Sequence, residues 1–400
     1  LTGPLYPDGI PIYSEDDLER IIRETRADEA IFAYSDVSHE DVMHVASRCL
    51  AAGVDFRLMG MESTALRSSK PVVSVCATRT GSGKSQTTRR VSDILAAWGR
   101  RVAVVRHPMP YGDLRQQRVQ RFSSLNDLDL HQCTIEEREE YEPHLERGHT
   151  VYAGIDYTAI LEQAESEADI IVWDGGNNDL PFYWPSLHIV VADPLRPGHE
   201  TRFHPGEANL RMADCVVINK VDSASREDID SVRDSIATAN PSAQIIEAAS
   251  PIAVDNPSAI RGKRVLVVED GPTITHGGMS FGAGVVAARR FGAAELVDPR
   301  EHAVGSIAEA FRRYPNLRLS LPAMGYGPDQ MRELQETIER TPCDLIVAAT
   351  PIDFRRTIQV DIPVERVRYE LQEIGQPTLA EVLAPLARIR QRREKDPALE

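Results

Sequence analysis

Lysine is rare in this chain of 400 residues: Lys70, Lys84, Lys220, Lys263 and Lys395 are its five lysines, and arginine supplies the rest of 45 basic residues. Two of the five, Lys84 and Lys220, fall inside nucleotide-binding signatures. Cysteine is also sparse. Cys49, Cys76, Cys133, Cys215 and Cys343 are scattered and odd in number, with no C-x-x-C pair, which excludes a disulfide framework or zinc ribbon and reads as reduced thiols. Positive charge is in deficit, 45 basic residues against 61 acidic, for a net −16. A field of that sign excludes a nonspecific grip on nucleic acid, so any phosphate must be held locally. Apolar runs long enough to span a bilayer, about 20 residues, are missing, and the start lacks the basic-then-apolar pattern of a leader. A membrane partner is therefore not expected, and the expected location is the cytoplasm.

What is present is an ordinary globular composition, 42% hydrophobic and 26% charged, in a chain long enough for two or three domains. The apolar pattern predicts strand 29–34, helix 40–52 and strand 55–59, one α/β unit ending near residue 70. Strand 72–77, a helix from Ser85 to Gly99 and strand 102–105 follow as a βαβ unit. The polar stretch 115–146 has weak periodicity and reads as helical cover or a flap. Beyond it, helices at 157–167, 206–213 and 226–239 alternate with strands at 169–173, 187–192, 215–219 and 244–248. Residues 251–257 read as a linker. A third α/β stretch starts with strand 264–268 and includes helices 282–291 and 329–339, strand 344–348 and a helix from Leu379. This alternation predicts an α/β fold, a P-loop NTPase with a mostly parallel doubly wound sheet at 71–257. Smaller α/β parts flank it at 1–70 and 258–400.

The chemistry concentrates in a few motifs. Ala77-Thr78-Arg79-Thr80-Gly81-Ser82-Gly83-Lys84-Ser85-Gln86 lies between a buried strand and an amphipathic helix, the context of a phosphate-binding loop. Its amides and helix end would surround the phosphates, with Lys84 on the β- and γ-phosphates and the Ser85 hydroxyl on Mg²⁺. Thr78 stands where the usual pattern has its first glycine, a form resembling the loop of dethiobiotin synthetase and its relatives. The strand ending in Asp174 reads as the carboxylate partner of that Mg²⁺. Asn219-Lys220-Val221-Asp222 follows a strand and matches the guanine-reading NKxD motif, which favours GTP, although relatives of this branch bind adenine at the same strand end. Arg106 and His107 follow the next strand and are candidates to clamp an acidic substrate. The loop Gly271–Gly284 offers further amides and His276, Gly277 and Gly278, and is the expected seat of an anionic acceptor.

Taken together, ATRTGSGKS (77–85), VRHPMPYGDL (105–114), EEREEYEPH (136–144), VWDGG (172–176), NKVD (219–222) and EDGPTITHGGMSFGAG (269–284) resemble the cyclic 2,3-diphosphoglycerate synthetase family over nearly the whole chain. That resemblance implies an ATP- and Mg²⁺-dependent synthetase that closes a small phosphorylated acid into an intramolecular phosphoanhydride. Lys84, Asp174, Arg106 and His107 would be catalytic, with Ser85 and Asp174 on the metal. The alternative is a regulatory or metallochaperone-type GTPase, for which His131 and Cys133 supply only a pair of candidate ligands. ATP against GTP, and monomer against homodimer, stay open. The base can be decided by experiment: Asp222→Asn is expected to weaken GTP more than ATP by about 2 kcal/mol in nucleotide titrations, because only guanine offers two donors to that carboxylate. Equal losses for both nucleotides would remove guanine reading from the site.

Overall fold

A computed structural model describes residues 10–387 apart from 108, 110–113, 177–178, 276–278, 325–326 and 352–357. Its larger sheet has nine strands. From one edge to the other these are Gln372–Ile374, Gln244–Ala249, Cys215–Ile218, Leu187–Ala192, Val72–Ala77, Ile170–Asp174, Val102–Arg106, Thr150–Ala153 and Gln120–Phe122. The two outermost strands pair antiparallel and every inner pairing is parallel.

Residue alternation along the strands explains the double winding. Val73, Val75, Val104 and Val172 face the helices Lys84–Ala97, Ile135–Leu145 and Leu379–Ala387. Val72, Val105, Ile171 and Trp173 face Tyr157–Glu167, Gly206–Met212 and Arg226–Ala239 on the other side. With helices on both faces, the central strands are buried on both sides and read as nearly unbroken apolar runs.

A second, six-stranded sheet holds Ile252–Val254, Val364–Tyr369, Leu345–Ala349, Arg264–Asp270, Glu295–Leu296 and Ser320–Ala323. Helix Ala283–Arg290 covers one face, and helices Gly305–Arg313 and Pro328–Arg340 cover the other. The N-terminal unit pairs strands Glu29–Phe32 and Asp55–Leu58 in parallel over a small core of Ile22, Cys49 and Val54. A short antiparallel pairing of Val37–Ser38 with Phe203–His204 ties that unit to the segment that precedes helix Gly206–Met212.

One expectation is resolved and two change. Residues 115–146 form strand Gln120–Phe122 and helices Leu125–Leu130 and Ile135–Leu145. Each helix starts at a capping box, Ser124 with Asp127 and Thr134 with Glu137, a signal legible in the sequence but outweighed there by the missing apolar stripe. Residues 251–257 include strand Ile252–Val254, paired with Val367–Tyr369, rather than a bare linker. The C-terminal region is split: strand Gln372–Ile374 joins the larger sheet and helix Leu379–Ala387 packs on its P-loop face. An edge strand can pair with any exposed strand of matching register, so chain order does not reveal which sheet it joins.

Leu383 is fully buried in the core that also contains Val91 and Leu95 of the P-loop helix. Leu383→Ala is therefore expected to cost about 2–5 kcal/mol in denaturant unfolding. An unchanged midpoint would show that this helix is no part of the nucleotide-domain core.

Candidate functional site

Strand Val72–Ala77 is buried throughout and delivers the chain into the loop 78–83. Thr78 turns away from the loop mouth, with its amide donating to Val191 O at 2.9 Å and its hydroxyl to the same oxygen at 3.4 Å. Gly83 takes φ +106°, and a Cβ there would lie 2.0 Å from Asn219 Nδ2, so conformation and space both demand glycine. Helix Lys84–Ala97 begins at once, and its first-turn amides form a positive end facing the loop. Arg79, Thr80, Gly81, Gly83, Lys84, Ser85 and Gln86 all border a cavity of about 460 Å³, within the usual range of small-molecule sites.

Asp174 sits beside this loop because its strand neighbours Val72–Ala77 on one side, with Val75 opposite Asp174, and Val102–Arg106 on the other, with Arg106 opposite Asp174. Lys84 Nζ donates to Asp174 Oδ1 at 2.6 Å, and Thr88 Oγ1 donates to the same oxygen at 3.1 Å. Arg106 Nη1 lies 2.5 Å from Oδ2, and His144 Nε2 lies 3.5 Å from it. Burial alone would raise the Asp174 pKa, but Arg106, Lys84 and His144 hold it well below the usual carboxylate range. His144, itself fully buried, is pushed down to about 4. Arg106 is 1% exposed and also pairs with Glu140, so the expected clamp on an acidic substrate does not form; this guanidinium is consumed by the chain's own carboxylates. His107 likewise turns to Asp179, 2.9 Å away.

The 219–222 segment grips the phosphate loop from the other side. Asn219 Nδ2 donates to Ser82 O at 2.9 Å, and Lys220 Nζ reaches Gly81 O at 2.5 Å and Asp193 Oδ2 at 2.9 Å. Asp222 borders the cavity and accepts the Ser250 amide at 2.9 Å, while Ser250 donates its hydroxyl to Gln86 at 3.1 Å. Ser82 closes the loop internally through Arg79 O. Arg79 is buried against the N-terminal unit: its Nε donates to Asp36 Oδ1 at 2.6 Å and its guanidinium lies over the Phe203 ring, while Asp36 also accepts the Thr80 amide at 3.3 Å.

The glycine-rich 271–284 loop differs from expectation. Its amides at Gly282, Gly284 and Val285 donate to the Glu269 carboxylate at 3.0, 3.2 and 2.9 Å. The anion at this helix start is the chain's own, so these three amides are already engaged, while Met279, Phe281, Gly282 and Ala283 border the same cavity as Lys84. A Cβ on Gly282 would fall 2.4 Å from Glu269 Oε2, the reason glycine stands there. His276, Gly277 and Gly278 lie outside the described residues.

No protein-family model matches the chain. Arginine synthetase ArcE of Thermococcus kodakarensis is 62% identical to it over 388 residues, covering 97% of this chain and 87% of the relative. The chain belongs to the ArcE family. Among solved structures, LpxK of Aquifex aeolicus, described in complex with ATP, aligns with TM-score 0.49 and 13% identity over 81% of this chain and 90% of its own. The hydrogenase maturation factor HypB of Archaeoglobus fulgidus aligns with TM-score 0.30 and 17% identity, over 47% of this chain and 83% of its own. The curated relative is thus named a synthetase of arginine rather than of cyclic 2,3-diphosphoglycerate.

In this ArcE-family chain the cavity wall contributed by the second sheet was missed by sequence reasoning. Glu269 and Asp270 end strand Arg264–Asp270, and with Glu140 and Tyr369 they border the same cavity as Lys84. Carboxylates at the carboxyl end of a parallel strand are a legible signal, obscured here by the glycines that follow. Asp36 left no comparable signal, because only docking of the N-terminal unit brings it to Arg79. Behind this wall Glu139 is 5% exposed, and burial together with Asp270, Glu136 and Glu140 raises its pKa well above normal.

Burial also raises Glu269 to about 7, against its three amide donors, with Asp270 adding to the rise. The folded state then binds more protons than the unfolded state between about pH 4.5 and 7, so stability is lost as pH rises through that window, by roughly 3 kcal/mol. Glu269→Gln removes the titration. The difference in melting temperature between unmodified protein and variant is expected to change across pH 4.5–7 and to flatten above it; parallel curves would contradict the assignment.

Proposed function

We propose that this chain is an ATP- and Mg²⁺-dependent synthetase that forms the guanidino group of arginine from a ureido amino acid and an amine. The observation that carries the reading is one cavity lined both by the phosphate loop and by Glu140, Glu269 and Asp270. Those carboxylates suit a cationic or amine-bearing substrate beside the phosphate loop. The name of the 62% identical relative points the same way.

Oxygen donors fit Mg²⁺: Ser85 borders the cavity, and the buried Asp174 carboxylate is held ionised 2.6 Å from Lys84, which borders the cavity too. Ser85 and Asp174 would hold the ion, which when bound supplies charge neutralisation for the nucleotide phosphates. Lys84 would follow the charge that gathers on the transferring group, and Arg106 keeps Asp174 ionised and oriented. A ureido oxygen is a poor leaving group, so in this reading it first attacks the γ-phosphorus of the nucleotide, expelling ADP. The amine nitrogen then attacks the activated carbon, and phosphate departs with the former ureido oxygen. One proton is released, and Glu269, with a pKa raised to about 7, is matched to accept it.

Cyclisation of 2,3-diphosphoglycerate uses the same phosphoryl chemistry, but would set a highly anionic acceptor against these three carboxylates. A regulatory or metallochaperone-type GTPase draws support from the placement of Asp222 on the cavity wall. The test is a panel of MgATP and MgGTP with citrulline plus ammonium, or with 2,3-diphosphoglycerate, following ADP or GDP together with product. Arginine is expected from citrulline, ammonium and MgATP, and Lys84→Ala is expected to lower turnover about 100-fold or more with circular dichroism unchanged. Nucleotide cleavage indifferent to every acceptor would favour the GTPase reading, and a cyclic phosphoanhydride product would restore the diphosphoglycerate one.

A further inference from the structure

Behind the main cavity, and sharing Tyr369 with it, lies a smaller one of about 160 Å³ between the P-loop helix, the end of helix Ile135–Leu145 and strand Val364–Tyr369. Arginine dominates its wall. Arg89, Arg147, Arg366 and Arg368 border it, against Glu146 and Glu370, in a chain whose net charge is −16. Two of the four are satisfied by the protein itself: Arg147 by Asp93 at 3.3 Å and Glu370 at 2.7 Å, and Arg368 by Asp255.

The other two are not. Arg89 is half-buried and makes no hydrogen bond or ion pair with a described residue; it feels the like charge of Arg147, and Tyr369, Asp174 and Glu140 act on it only through space. Arg366 donates through Nη2 to Pro351 O at 2.5 Å, while its Nε is buried without a partner. A guanidinium withdrawn from water and left unpaired is costly, and an oxyanion relieves that cost through charge-assisted, planar hydrogen bonds. We infer that this cavity is a second ligand site, built for a compact oxyanion, a phosphate or a carboxylate group. Its volume, equal to about five waters, admits such a group and excludes a nucleotide.

Position gives the site its consequence. Arg89 lies one helical turn beyond Ser85 on the P-loop helix, whereas Arg366 belongs to the second sheet. An anion held by both bridges the two halves that enclose the main cavity. The inference is independent of which acceptor the main cavity takes.

The experiment is calorimetric titration of inorganic phosphate, and in a parallel arm acetate at matched ionic strength, into protein saturated with Mg²⁺ and a non-hydrolysable nucleoside triphosphate, so that the phosphate loop is already filled. Saturable binding is expected, weakened tenfold or more in both Arg366→Gln and Arg89→Gln; saturation by phosphate or by acetate tells which group the site takes. No saturable binding of either, or binding unchanged in both variants, overturns the proposal. Melting temperatures without added anion give a second check. They are expected to be equal to or above that of the unmodified protein in both variants, since each loses an unpaired charge; a fall in both means the guanidiniums already have structural partners, and the site is rejected.

Discussion

Asp174 is the carboxylate on which the nucleotide end of the molecule depends. It is fully buried and shares Lys84, Thr88, Arg106 and His144 among its neighbours. Those side chains come from the P-loop helix, the adjacent strand and helix Ile135–Leu145, so one charge fixes three elements. Removing one partner from such a buried set typically costs about 3–5 kcal/mol, because the remaining charges lose compensation. The same arrangement presets the chemistry. Lys84 is committed to Asp174 at 2.6 Å, and an incoming phosphate competes for a lysine that is already ordered.

Anion-binding geometry occurs twice, with opposite outcomes. At the helix opened by Lys84, Gly81, Gly83, Lys84 and Ser85 border the main cavity, and Asn219 and Lys220 brace the loop through the Ser82 and Gly81 carbonyls. At the helix opened by Ala283, Glu269 fills the amides from within the chain. Both segments are glycine-rich and both follow a strand. What separates them is a carboxylate, Glu269, whose strand ends directly beneath the second helix start. The result is an inversion of local charge: the wall expected to hold an anion is acidic.

That inversion bears on the family. The motifs running from residue 77 to 284 resemble cyclic 2,3-diphosphoglycerate synthetases, and the 62% identical relative is an arginine synthetase. Both descriptions require a nucleotide-driven synthetase, and they differ in the acceptor. In the proposed reading, acceptor choice rests on a few side chains of the cavity wall, Glu140, Glu269 and Asp270, while the phosphate machinery is shared.

Strands Val72–Ala77 and Leu187–Ala192 and helices Tyr157–Glu167 and Arg226–Ala239 coincide residue for residue with the sequence reading, because burial on two faces or one stripe writes itself into the apolar pattern. The phosphate loop, Asp174 and Asn219–Asp222 were legible for a related reason: each is set by a short local geometry, a strand end or a tight turn, that admits few residue types. Contacts across the fold were not. Nothing in the sequence says that Arg106 is spent on Asp174 and Glu140, that Asp36 reaches Arg79, or that Gln372–Ile374 returns to the first sheet. Charged side chains have no periodic signature, and which of them meet is decided only when separate elements pack and the cost of burying one charge selects its partner.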